Sequence, residues 1–200
     1  MKIDIEKIVF NEIKNTKKRT KIDLYNNNNN TTSDKNFKQI YHDGKVLQFW
    51  TPKMLMPFGI DNEYGKYILK LEFDDNKNEE HAYFKKVILH IEKLIKKKLE
   101  IENDSEQWKS IIKKRENKSD IIELRIKNIK NNIQTEILNN NDTDAENSME
   151  NTNYLKTIFD LKKQTYMKVL IEINGLWDYR VNNIEQNKVG LICYATKLCI

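Results

Sequence analysis

The sequence predicts an α+β fold: a small antiparallel sheet or barrel of roughly five to seven short strands, with one helix packed on one side. Three observations predict it. Apolar residues alternate with period two over 66–73, 122–126, 167–173 and 189–195, and turns rather than helical crossovers join these runs. Only residues 78–98 carry a sustained helical period. Asp43-Gly44 separates two β-prone runs, which is the strongest short hairpin signal.

The elements follow in chain order. Ile3, Ile5, Ile8 and Phe10 alternate as a strand would. Lys17, Lys18, Arg19 and Lys21 then make a basic patch, either a phosphate-contacting arm or a solvated turn. Five consecutive asparagines, Asn26–Asn30, lead into Thr31, Thr32, Ser33 and Asp34. Such a tract buries too little to repay the ordering of its backbone, so it reads as a flexible polar insert. Residues 1–36 are therefore expected to be an N-terminal strand and basic arm on a polyasparagine linker, and 37–200 the main domain. Lys38–His42 and Lys45–Trp50 are expected to pair as a hairpin. Thr51–Ile60 is a proline-bounded apolar loop holding Met54, Met56 and Phe58. In Lys66–Phe73, Tyr67, Leu69, Leu71 and Phe73 share one face, and Lys66, Lys70 and Glu72 the other.

The helix has an N-cap residue, Asn78, and two acids, Glu79 and Glu80, in its first turn. Phe84, Val87, Ile88, Ile91, Leu94 and Ile95 form its apolar stripe. A second helical stretch is expected from Ser105, with Trp108, Ile111 and Ile112 facing inward. Ile122, Leu124 and Ile126 mark another strand. Residues 139–153, with Asp142, Asp144, Glu146 and Glu150, read as a flexible acidic insert. Leu155–Leu161 fits helix or strand. Met167, Val169, Ile171 and Ile173 alternate up to Asn174-Gly175, a turn or bulge. The last run, Val189 to Ala195, is apolar on both faces and suits a central or barrel-closing strand.

Composition narrows the chemistry. Asparagine (26), isoleucine (26) and lysine (31) supply 83 of the 200 residues, and alanine only three. This bias fits an AT-rich coding genome, so the net charge of +5 is weak evidence for a polyanionic partner. No window is apolar enough for a membrane-spanning helix, and Met1–Phe10 does not read as a secretory leader. Five glycines leave no room for a phosphate-binding glycine loop. Cys193 and Cys199 read as reduced thiols of an intracellular protein, and His42, His81 and His90 lack metal-ligand spacing. Asp74-Asp75-Asn76 reads as a turn rather than a nuclease site, and His42-Asp43 as hairpin surface. No cofactor, metal, small-molecule substrate or membrane is expected, and no catalysis.

The pattern that remains is aromatic side chains interleaved with basic ones on a β surface. Rings stack on bases while lysine and arginine track phosphates. The candidates are Phe49, Trp50, Lys53, Phe58, Tyr64, Lys66, Lys70, Arg125, Lys127, Trp177, Tyr179 and Arg180, of which part of the aromatics belong to the core.

Pro52-Lys-Met-Leu-Met-Pro-Phe-Gly-Ile60 followed by Tyr64-Gly-Lys-Tyr-Ile-Leu-Lys-Leu-Glu-Phe73 and a helix resembles the central block of the single-stranded-DNA-binding proteins of large nucleocytoplasmic DNA viruses. Val169-Leu-Ile-Glu-Ile-Asn-Gly-Leu-Trp177 and Lys188-Val-Gly-Leu191 are similar to that family's C-terminal block. The likeness runs over about 46–200. It implies an OB-like barrel that coats single-stranded DNA during viral replication, repair or recombination, in a replication compartment of the host cytoplasm. It points to Phe58, Gly59, Tyr67, Trp177, Lys188 and Gly190. RNA is the alternative strand, and the N-terminal segment is a candidate self-association arm. The rival reading is a protein–protein interaction module of a viral replication or virion-assembly complex, docking through the apolar Met54–Phe58 loop.

Overall fold

The period-two runs close into a ring. The computed structural model describes residues 12–15, 37–41, 45–63, 65–74, 77–102, 106–129, 132–138, 157–178 and 188–200. The strands are β1 (Glu12–Asn15), β2 (Phe37–Tyr41), β3 (Leu47–Trp50), β4 (Met54–Met56), β5 (Ile60–Glu63) and β6 (Lys66–Glu72). After helix α1 (Glu79–Lys98) come β7 (Trp108–Lys109), β8 (Ile112–Arg115), β9 (Lys118–Ile126), β10 (Asn128–Ile129), β11 (Asn132–Ile133), β12 (Glu136–Leu138), β13 (Thr165–Asp178) and β14 (Val189–Cys199). The expected strand at Ile3–Phe10, the Asn26–Asp34 tract and the whole acidic stretch 139–153 lie outside the described residues.

Five strands make the barrel. β13 pairs with β4, β4 with β6, β6 with β9, β9 with β14, and β14 back with β13. Every pairing is antiparallel except β9–β14, which is parallel. The order around the ring is thus first, second, third, fifth, fourth. This is the five-stranded Greek-key closure of an OB-type barrel. Met54, Leu69, Leu71, Ile122, Val169 and Ile171 point inward and are fully buried, as period-two alternation requires. The last strand does close the barrel, and both its faces are covered: Cys193 lies inside, while Ile192 is buried too.

The first barrel strand is a relay. β3 and β4 pair with β13, and β5 then pairs with β6. Partners change at Pro57-Phe58-Gly59, where Gly59 adopts φ +78°, a conformation glycine takes without penalty. The apolar loop expected here is therefore largely wall: Met54 and Met56 are fully buried. That removes the docking patch of the rival reading, leaving only Phe58 of its ring-bearing part exposed.

α1 forms as expected. The Asn78 side chain accepts from the Glu80 and His81 amides at 2.9 and 3.3 Å. Its stripe packs on the barrel, with Phe84 stacked on Phe73 at 5.9 Å and edge-on to Phe49 at 6.2 Å. Phe49 is thus core, not a base platform. His81 is a buried strut: its Nδ1 accepts from the Asp74 amide (2.9 Å) and its Nε2 lies 3.0 Å from the Lys53 carbonyl.

Two expectations fail. β2 and β3 do not form a hairpin; both pair antiparallel with β13, Gln39 opposite Gly175 and Leu47 opposite Ile173. They lie end to end because β13, 14 residues long, offers an edge that accommodates both. Residues 42–44 themselves lie outside the described set. The second failure is the helix expected from Ser105. The chain there is extended, as β7 on β14 and β8 on β9. Tertiary bonds override the local period. The buried Glu92 carboxylate accepts from Ser110 Oγ and the Ile111 amide, both at 3.0 Å, and draws the segment straight. Leu155–Leu161, left open above, contains a short 3₁₀ turn, Ile158–Asp160.

Candidate nucleic-acid interface

The parallel seam of the barrel, β9–β14, is short. Only Arg125–Tyr194 and Ile126–Ala195 are in register there. On one side Thr135 staples the two strands, accepting from the Lys127 amide (3.0 Å) and donating to the Ala195 carbonyl (2.6 Å). On the other side the strands splay, and β7 and β8 fill the gap between them. Where they splay lies a cleft of about 260 Å³. Its lining includes Lys66, Lys109, Lys113, Arg125, Ile68 and Trp177, with Glu63 and Glu123.

Charge pairing separates the cations. Glu63 is held by Lys70 at 2.9 Å, and Glu123 lies 3.8 Å from Lys113. Both acids of the cleft are thus engaged. Among the described residues, Lys66, Lys109 and Arg125 have no ion-pair partner. Three uncompensated cations around an apolar floor make a site that takes a polyanion.

Trp177 supplies the flat surface. It lies opposite Gly190 in register, and a Cβ on Gly190 would come within 2.7 Å of the indole and 2.9 Å of the Lys109 carbonyl. The missing side chain lets the ring and β7 seat together. Below them is Cys193, whose thiol is pushed far up by burial and by nearby Glu92, Arg125 opposing. It is a core residue, not a reactive one.

The other sequence candidates fall elsewhere. Lys70 is bound by both Asp61 (2.8 Å) and Glu63 (2.9 Å). Burial alone would lower its ammonium, but the two carboxylates outweigh that and hold it above its ordinary value. Lys127 is paired with Glu172 at 3.1 Å, and Glu172 also accepts from Gln48. Phe58 lies between β4 and β5, 44% exposed, with the Arg115 guanidinium 5.8 Å from its ring centre. Trp50 and Lys53 are exposed beside β13 and do not line the cleft. Tyr67 points inward and meets Phe159 edge-on at 5.0 Å. Lys188 is exposed beside β14. Tyr64, Tyr179 and Arg180 lie outside the described residues.

The structure thus joins Lys66, Arg125 and Trp177 in one cleft and leaves Trp50 and Lys53 outside it. Sequence reasoning missed Lys109 and Lys113, because the segment carrying them was read as helix. The available signal was two Ile-Ile pairs, 111–112 and 121–122, flanking Glu116-Asn117; Asn117 takes φ 52° at the hairpin turn. Among the described residues no cluster of three His, Cys, Asp or Glu is placed to hold a metal ion, and no helix is long and apolar enough to cross a membrane.

No protein-family model matches the chain, and no curated protein matches it. Among solved structures, the chain is similar to the single-stranded DNA-binding protein from bacteriophage Enc34, determined in complex with ssDNA. The two share 14% identity over 80% of this chain and 88% of that one, with a TM-score of 0.40.

Proposed function

We propose that this protein is a non-catalytic, sequence-tolerant binder of single-stranded DNA. The observation that carries the reading is the cleft at the β9–β14 seam, where three uncompensated cations surround Trp177. Arg125, Lys66 and Lys109 neutralise phosphates, and the indole offers a face to a base. Phe58 is a second platform. Such contacts read backbone and π-face rather than base edges, so sequence tolerance follows. No side chain is assigned to a 2′-hydroxyl, and the same cleft admits single-stranded RNA. The resemblance of the 46–200 region to viral single-stranded-DNA-binding proteins supports the reading. On that resemblance, the strands it would coat are those exposed in replication, repair or recombination, within a cytoplasmic replication compartment.

A tryptophan-fluorescence titration with oligo-dT at two salt concentrations tests this. Affinity falls with salt by about 0.7 log per log for each phosphate contact, so three contacts give a slope of about −2. Absence of micromolar binding at low salt overturns the reading.

A further inference from the structure

The barrel carries a second basic and aromatic surface, on β3, β4 and β13. Tyr166 lies opposite Leu55, and Met167 opposite Met54. Lys168 follows Met167 on β13 and Lys53 precedes Met54 on the facing chain, so the two flank the end of that pairing, and both are exposed. Beyond them Leu170 lies opposite Trp50. The outward row is therefore ring, cation pair, ring: Tyr166, then Lys168 beside Lys53, then Trp50. From Tyr166 to Leu170 is four residues, roughly 13 Å of strand.

Three features mark this row as a binding face. The two like charges lie at the end of the same strand pairing, yet neither lysine has an ion-pair partner among the described residues. The nearby acids are committed elsewhere: Glu72 to Arg115 at 2.7 Å and Glu172 to Lys127 at 3.1 Å. Tyr166 is 55% exposed and Trp50 43%, although both are large enough to reward burial. An unneutralised cation pair flanked by exposed rings matches a chain of phosphates and bases.

We infer that this face is a second binding surface for single-stranded nucleic acid, taken by the part of a strand that extends beyond the cleft. Phe58, between β4 and β5, is a further exposed ring. The inference rests on the reading of the cleft given above. It makes the occluded length longer than the cleft alone requires.

The test compares oligo-dT of about 6 and about 30 nucleotides, bracketing the span of a single OB fold. The variant is Lys53→Glu/Lys168→Glu, both on exposed side chains. The expected result is unchanged affinity for the short oligonucleotide. For the long one, affinity falls at least about fivefold, and the salt slope flattens by about 1.4, two contacts' worth. Wild-type affinity for the long strand overturns the inference. So does equal weakening for both lengths, which would signal a general charge effect. Should the double variant misfold by circular dichroism, Tyr166→Ala repeats the comparison with the same outcomes. If the unmodified protein binds neither oligonucleotide, the reading of the cleft fails first and this inference falls with it.

Discussion

The cleft at the β9–β14 seam and the outer face of β4–β13 carry similar residues but are built differently. In the cleft, each acid has been taken by a lysine partner. Glu63 and Glu123 are occupied by Lys70 and Lys113, and what remains is Lys66, Lys109 and Arg125 around a tryptophan seated on a glycine. On the β4–β13 face the lysines and rings simply follow strand alternation, with no second layer holding them. The difference teaches that a basic residue counts toward a polyanion site only after its neighbours have been subtracted. Lys70 and Lys127 look as promising as Lys66 in the sequence, and both are already neutralised.

Four outcomes sharpen or break that comparison. The largest is expected for Arg125→Glu, which removes a phosphate contact and installs a repulsive charge in the cleft. Affinity for a short oligo-dT should fall on the order of tenfold to hundredfold, against no change for Lys53→Glu. Equal losses in fluorescence titrations would erase the distinction between the faces. Next comes thiol labelling near pH 8.5, where an unfolded cysteine is about half ionised. The Cys193 thiol is held protonated by burial, so it should label at least about tenfold more slowly in the native protein than in denaturant, and more slowly still with oligo-dT bound. Rapid native labelling would mean the floor of the cleft is open.

Gly190→Ala forces a Cβ to within 2.7 Å of Trp177. It should lower stability by about 1–3 kcal/mol and shift the tryptophan emission. An unchanged melt with unchanged emission would show that Trp177 and β7 do not close on Gly190. The smallest effect is expected for Lys70→Ala: within about twofold in affinity, and below about 1 kcal/mol in stability, as for other exposed ion pairs. A loss comparable to Lys66→Ala would show that carboxylate pairing does not remove a lysine from the site.

How much of this was legible in the sequence depends on what fixed each element. α1 was readable because its cap, its first-turn acids and its stripe are all local. The inner faces of β6, β9 and β13 were readable because burial on one side imposes strict alternation. The Asp43-Gly44 hairpin misled because its flanks are recruited one after the other by the long edge of β13, a partner over a hundred residues away. β7 and β8 misled because a single buried acid, Glu92, sets their path. For the site, residue types were legible and grouping was not. Trp50, Lys53, Lys66, Arg125 and Trp177 were all picked by type, but only the closure of the barrel separates the first two from the others.

Hydrogen exchange with and without saturating oligo-dT tests the central claim most directly. The account predicts slowed exchange at Lys109–Lys113, across the 66–70 and 123–126 segments, and at the start of β14. Unchanged exchange throughout those segments, with the oligonucleotide bound, would contradict it.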